Sequence, residues 1–350
     1  MMHFTAERLK HATRAILLAV GAPEDIAEYL AGSLVENELT GHDSHGVIRM
    51  TNYTDRVAAG QIKPAARPSI LRESPTTAVV SGNWGFGQVG VKFATEVAIR
   101  KAMETNIAAV GVVQMNHMGR LGEYATMIAD RGMIGMVVTG GFSAHTRQVA
   151  PFGGAGRALG TNPYSFAVPA SAHTRFLADF ATSSVAEGRL RVARAEKTPV
   201  PEGMIVDAEG RPSTDPNAFY NGGMLLPAGG HKGYAMSLMA DLFGSFLSGS
   251  DMLGTPPHTQ GTFIMALRVD AFRPLDEFVT AVDKRFDEIK AISPAPGFKE
   301  VLIPGERAAR AKAQRLKEGI SLPEDTWNQL VAIAKKYQVS LDEVTSTATS

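Results

Sequence analysis

The chain has 350 residues, no cysteine, and equal numbers of acidic and basic side chains, 35 of each. That balance gives no electrostatic case for nucleic acid or an anionic membrane. The missing cysteine removes disulfides, thiolate nucleophiles and cysteine-ligated metals. An apolar share of 44% is that of a globular protein, with core enough for one large domain or a few smaller ones. No apolar stretch follows a basic start, and runs such as Ile134–Val138 are far too short to span a bilayer. Neither a signal peptide nor a membrane span is expected, and the composition fits the cytoplasm.

From the N-terminus, Thr5–Val20 shows apolar residues at helical spacing and stops at Gly21. Pro23, with Glu24 and Asp25 beside it, opens a second helix that runs to Leu39 and ends at Gly41. A third helix is expected over His45–Ala59, ending at Gly60. After Pro64 the pattern changes. Thr77–Ser81 reads as a strand, Val91–Thr105 as a helix, Ile107–Gln114 as a strand, Tyr124–Arg131 as a helix and Ile134–Thr139 as a strand. Such alternation indicates α/β layering. Phe166–Pro169 and Phe176–Phe180 are further strands between turns. Residues 188–216 hold Pro199, Pro201, Gly203, Gly210 and Pro212 and read as an ordered loop or hairpin region. Lys232–Leu247 is a helix and Thr262–Val269 a strand. In the tail, Glu306–Lys317 is an amphipathic helix, and Ser321 with Glu324 resembles a capping box opening a helix through Lys336. There is no internal repeat. The division is a helical part over 1–75, an α/β part over 76–305 and a helical part over 306–350.

The sharpest local feature is Gly41-His42-Asp43-Ser44-His45-Gly46-Val47-Ile48-Arg49. On a helix starting near Ser44, His45, Arg49 and Tyr53 at i, i+4 and i+8 share one face. A guanidinium that can grip a carboxylate in bidentate fashion and an imidazole that moves a proton near neutral pH would then sit on one rigid element. The competing reading is a helix cap at Asp43 or Ser44 followed by surface polar residues. Asn116-His117-Met118-Gly119-Arg120 follows an apolar strand, where α/β folds often present a ligand-facing residue, although a plain turn histidine gives the same pattern.

Gly85-Phe86-Gly87-Gln88-Val89-Gly90 matches the glycine fingerprint of a dinucleotide loop, but no acidic residue ends the following strand, so it is read as a false lead. Gly229-Gly230-His231-Lys232-Gly233-Tyr234 opens a helix whose N–H groups suit a phosphate or nicotinamide, without the spacing of a P-loop. His42 and His45 lack the carboxylate cluster of a metal site, and no metal is expected. Gly141-Phe142-Ser143-Ala144-His145 lacks the final glycine of a serine-hydrolase elbow.

Six motifs in chain order resemble the type-2 malate/L-lactate dehydrogenase family, also described as the L-sulfolactate dehydrogenase-like oxidoreductases. They are Asp43-Ser44-His45-Gly46 with Arg49, Asn116 to Gly119, Leu159 to Pro163, Asp179 to Ser183, Lys232 to Tyr234, and Pro304 to Arg307. Within that family the chain looks most like the bacterial hydroxycarboxylate dehydrogenase B group. The resemblance implies an α/β fold with a family-specific, non-Rossmann NAD(P)-binding mixed sheet between helical N- and C-terminal parts. It implies a homodimer, NAD as cofactor with NADP also open, and hydride exchange with a small 2-hydroxy or 2-oxo acid such as malate or lactate. The alternatives are a reductase of cyclic imino acids or diketo sugar acids, a ureidoglycolate dehydrogenase, and a cofactor-free binding protein on the same scaffold. For the site it implies Arg49 on the substrate carboxylate, His45 moving the proton, and Ser44 and His117 orienting the oxygen or the nicotinamide. It implies nucleotide contacts at Gly119, Arg120 and Leu121; at Leu177, Ala178, Asp179, Phe180, Ala181 and Thr182; and at His231, Lys232, Gln260, Gly305, Glu306 and Arg307. One departure stands out. Many members carry Thr-Asn where this chain has Gly140-Gly141-Phe142, and Phe142 with Phe152 and Phe86 suggests a bulkier or more apolar acid.

Overall fold

The computed structural model describes residues 2–141, 146–171, 175–253 and 260–341. Strand β1 (Met2–Phe4) leads into helix α1 (Ala6–Ala19), where the Thr5 hydroxyl caps the first turn by accepting the Arg8 N–H at 3.3 Å. Helix α2 (Glu24–Leu39) starts directly after Pro23. Its buried residues Ile26, Leu30 and Leu34 repeat at helical spacing and join Leu9, Ile16 and Leu17 of α1 in one apolar cluster.

Helix α3 (Arg49–Ala58) begins four residues later than the sequence suggests. Asp43–His45 form a single 3₁₀ turn, and the backbone breaks at Gly46 with φ −84° and ψ −150°. Oε1 of Glu38 accepts the Val47 N–H at 2.8 Å, replacing a helical carbonyl. The shared helical face therefore holds for Arg49 and Tyr53 but not for His45, which the preceding turn presents.

The rest of the chain builds the sheet and its covers. In order it forms β2 (Ser69–Glu73), β3 (Thr77–Ser81), α4 (Gly87–Thr105), β4 (Ile107–Val113), α5 (Gly122–Ala129), β5 (Met133–Gly141), β6 (Tyr164–Val168) and β7 (Phe176–Phe180). The polar excursion then contains α6 (Glu187–Glu196), β8 (Ile205–Val206), β9 (Pro212–Ser213), α7 (Pro216–Tyr220) and β10 (Met224–Leu225). The hairpin β8–β9 fits the expected loop region, whereas α6 was not expected. Helix α8 (His231–Asp241) runs on as a π-helical stretch over Leu242–Leu247 and is followed by α9 (Ser250–Leu253). The chain closes with β11 (Gln260–Arg268), α10 (Leu275–Lys290), α11 (Glu306–Glu318), β12 (Ile320–Leu322) and α12 (Glu324–Lys336). Ser321 lies in β12 opposite His3 of β1, and Pro323, not Ser321, is the residue at the N-cap of α12.

Seven strands make one mixed sheet in the order β2-β3-β4-β11-β5-β6-β7. Only β3 and β4 are parallel neighbours; the late strand β11 runs antiparallel between β4 and β5. A doubly wound dinucleotide fold needs a mostly parallel sheet, so this is a different architecture. Among the described residues no helix is long and apolar enough to cross a membrane. The N- and C-terminal helices share one core, in which the Phe4 and Trp327 rings pack tilted with centroids 4.4 Å apart.

The glycine fingerprint has a packing role here. Helix α4 starts at Gly87, inside the motif, and a Cβ there would lie 2.1 Å from the Asn116 carbonyl oxygen and 2.5 Å from that of His117. Gly87 thus lets the helix sit directly on the turn that carries His117. Gly87→Ala should lower stability by about 1–3 kcal/mol through overpacking, read by urea unfolding, and should displace His117. Unchanged stability would show that the turn gives way freely.

Candidate active site

The 3₁₀ turn, the start of α3 and the turn after β4 bring Ser44, His45, Arg49 and His117 together. The rings of His45 and His117 stack with centroids 5.7 Å apart and planes 23° apart. Ser44 Oγ is 3.0 Å from His45 Nδ1, and Arg49 Nε donates to the Ser44 carbonyl at 2.6 Å. Asn37, at the end of α2, donates to the His45 carbonyl at 3.0 Å and accepts from Arg120 Nε at 3.2 Å. Tyr53 Oη is 2.8 Å from His117 Nδ1 and receives a hydrogen bond from Gln88 Nε2 at 2.6 Å.

The local field is cationic. Burial, reinforced by Arg49, pulls His45 down to about 3. Burial, then Arg49 and His45, hold His117 well below the usual imidazole value. Both rings are neutral at neutral pH. Burial also lowers Arg49, which still keeps its charge. Burial and then Arg120 bring His42 to about 4, with Arg307 adding to the effect.

A second group of expected residues gathers around the β7 edge. Asp179 Oδ2 accepts the Gly122 N–H at 2.8 Å and lies 3.8 Å from Arg120 Nη1. A Cβ on Gly122 would stand 2.6 Å from both atoms, so the backbone must approach this pair closely. Leu177 donates its N–H to the Pro304 carbonyl at 3.0 Å, which brings Gly305 and Arg307 to the same edge. Thr182 accepts the Ala228 N–H at 2.8 Å and so ties β7 to the loop before α8. There His231 and Lys232 are exposed, and the His231 ring meets Phe152 edge-on at 6.0 Å. Two expected contacts are committed elsewhere. The Leu121 side chain belongs to the core under the sheet, and the Glu306 carboxylate binds Lys290 at 2.5 and 2.7 Å. Gln260 pairs with Gly141 at the start of β11. Of the three phenylalanines read as pocket residues, Phe86 is core and packs on Tyr53, Phe152 is exposed, and Phe142 lies outside the described residues.

This geometry can be set beside known proteins. The family model for malate/L-lactate dehydrogenase matches residues 4–331. The chain belongs to that family. Malate dehydrogenase from Pyrococcus abyssi is 37% identical over 346 residues, covering 94% of this chain and 93% of the relative. Hydroxycarboxylate dehydrogenase B from Escherichia coli is 30% identical over 351 residues, covering 98% and 96%. The solved sulfolactate dehydrogenase from Methanocaldococcus jannaschii superposes with a TM-score of 0.90 at 34% identity, covering 98% of this chain and 99% of that one. As a family member the protein is a hydroxycarboxylate dehydrogenase, an oxidoreductase of hydroxy acids and oxo acids.

Several residues of this dehydrogenase's site escaped sequence reasoning. Asn37 and Glu38 look like an ordinary helix end; Gln88 sits in a motif that reads as a nucleotide loop. Asp241, raised to about 6 by burial, receives the Gly141 N–H at 3.1 Å and accounts for the Gly140–Gly141 departure as a close seat for α8. Glu38 supports the His45 turn from below. Burial, then the charge of Asp43, raises it from 4.5 to about 8. A folded pKa above the unfolded one means that stability present below pH 4.5 is lost as pH rises towards about 8. The depressed histidines act oppositely up to their unfolded value of 6.5, so the Glu38 decline is unopposed by them only above it. Glu38→Gln should therefore flatten the decline between pH 6.5 and about 8. Urea midpoints across that range test this, and a decline identical to wild type would remove Glu38 as its source.

Proposed function

We propose that the enzyme interconverts a small 2-hydroxy acid and its 2-oxo acid with NAD(H), with NADP(H) as the other nucleotide open to it. The observation that carries this reading is Arg49. Its partly buried guanidinium has no ion pair among the described residues and lies beside two neutral imidazoles. A buried cation without a counter-ion is unfavourable. A carboxylate next to the reacting carbon supplies the missing bidentate partner. Relatives named for malate and sulfolactate support the same substrate class.

Arg49 holds the carboxylate, and His45 donates its Nδ1–H to Ser44 Oγ, which leaves Nε2 to take the hydroxyl proton. His45 is already neutral, so oxidation needs no prior deprotonation. In the reverse direction the bound carboxylate offsets the guanidinium that depresses His45, so substrate anion and proton enter together. His117 orients the substrate oxygen. The nucleotide fits the second group: Gly122 opens the backbone beside Asp179, and Arg120 with Arg307 makes an anion-attracting field. Gly119 to Leu121, Leu177 to Thr182, His231, Lys232, Gln260 and Gly305 to Arg307 would hold it, Leu121 and Glu306 through their backbones. Bound there, nicotinamide would supply hydride exchange with the second carbon of the acid.

A screen of 2-hydroxy acids with NAD, followed by nicotinamide absorbance, tests the reading directly. His45→Ala should cut kcat by about 10²–10⁴-fold with little change in nucleotide affinity. Arg49→Lys should mainly raise KM, because an ammonium cannot make the fork. For oxidation, kcat/KM should be level through neutral pH and fall only in acid, following free His45. A profile that instead rises through neutral pH would take the base role from it.

We also propose a cytoplasmic homodimer. Helix α8 and its π-helical extension expose Leu238, Met239, Leu242, Phe246 and Leu247, between 38% and 58% exposed, followed by Met252 at 84%. A continuous apolar strip of this kind is unusual on a monomer and supports a subunit contact. Light scattering should give a dimer at micromolar concentration, and Leu242→Glu with Phe246→Glu should give a monomer. A wild-type monomer would end this reading.

A further inference from the structure

Gln88 lies in the glycine motif that opens α4, and nothing above gives it a part in the reaction. It is fully buried, and its Nε2 donates to Tyr53 Oη at 2.6 Å. Tyr53 is itself 1% exposed, and its Oη stands 2.8 Å from His117 Nδ1. A phenol carries one proton. With an amide N–H aimed at the phenol oxygen, that proton turns to the other neighbour, and His117 Nδ1 accepts it. A neutral imidazole that accepts at Nδ1 carries its own proton on Nε2.

The consequence bears on which histidine does what. His45 and His117 stack at 5.7 Å, and both are neutral. Two free imidazole lone pairs at one substrate oxygen would compete for the same proton. We propose that Gln88 and Tyr53 are positioning residues that lock His117 as the Nε2–H tautomer, leaving His45 as the only ring able to take the substrate proton. This rests on the functional reading above for its chemical meaning. His117 then contributes a hydrogen bond to the substrate oxygen, and no bond to a hydrogen of His117 is made or broken. The hydroxyl proton moves to His45 Nε2.

The amide is the element that sets direction. A carboxylate at position 88 only accepts, so it would draw the Tyr53 proton to itself. Tyr53 would then accept from His117, which would become the Nδ1–H tautomer. Gln88→Glu has the same shape and inverts the relay; Tyr53→Phe deletes it.

Long-range proton–nitrogen NMR of the free, full-length protein with isotope-labelled histidine reads the tautomer, with His117 assigned by its loss in His117→Asn. We expect Nε2–H in the wild type, Nδ1–H in Gln88→Glu and a mixture in Tyr53→Phe. Turnover of Gln88→Glu should fall roughly 100-fold, as for a misdirected group at a reacting atom, with a much smaller change in KM for the acid. The spectra need neither substrate nor nucleotide. Wild-type protein inactive on every 2-hydroxy acid would sink the functional reading, whereas an Nδ1–H signal at wild-type His117 would sink the relay alone. An inverted tautomer with unchanged kcat would also overturn the division of labour.

Discussion

One buried amide holds the two halves of this site together. Asn37 ends a helix of the N-terminal layer, and its side chain is fully enclosed. Through its nitrogen it fixes the carbonyl of His45; through its oxygen it receives Arg120, which stands on the turn after β4. Arg120 in turn lies beside Asp179 at the sheet edge. The His45 turn, proposed to face substrate, and Asp179, proposed to meet the nucleotide, are thereby tied by one chain of polar contacts across two hydrophobic cores. An interior amide left without either partner is costly, so helical layer and sheet are tied to each other's position. That coupling matters because hydride exchange depends on placement at the level of ångströms.

The same arrangement explains the charge pattern. Burial is the larger cause of the low histidine values, and the nearby guanidinium groups add to it: Arg120 at His42 and His45, and Arg49 at His45 and His117. The free protein spends no proton on these rings. It holds them neutral under a positive field that the proposed substrate carboxylate would relieve. With Arg49 and His45 in their proposed roles, recognition of the anion and readiness of the base are two results of one field.

Much of this was legible in the sequence, for physical reasons that differ by element. Helices α1 and α2 announce themselves through helical periodicity and glycine stops, and β4 and β5 through short apolar runs. The start of α3 was misplaced because a side chain from another helix, Glu38, takes the Val47 N–H; such tertiary capture leaves no local trace. Helix α6 was hidden among prolines and glycines because half of its residues are charged, and among its described side chains only Leu190 is fully buried. Helix α10 carried a readable signal, Leu275, Phe278, Val279, Val282 and Phe286 at three- and four-residue intervals, that sequence reasoning passed over. The pair Ser321 and Glu324 satisfied a capping rule, yet Ser321 belongs to strand β12 and the helix starts only after Pro323.

Among the side chains of the site, those proposed to meet substrate were easier to find than those that hold them. His45, Arg49 and His117 are polar residues next to glycine or a strand end, and their chemistry names them. Gln88 carries no such mark. Its neighbours Gly85, Gly87 and Gly90 match a phosphate-binding spacing, and that match draws attention away from the residue between them. The physical meaning of the spacing is nevertheless continuous with the site. Gly87 lets α4 touch the carbonyls of Asn116 and His117, and only at that distance can the next residue reach Tyr53 and, through it, the His117 ring. Close backbone approach, which in a dinucleotide loop serves a pyrophosphate, here serves an imidazole.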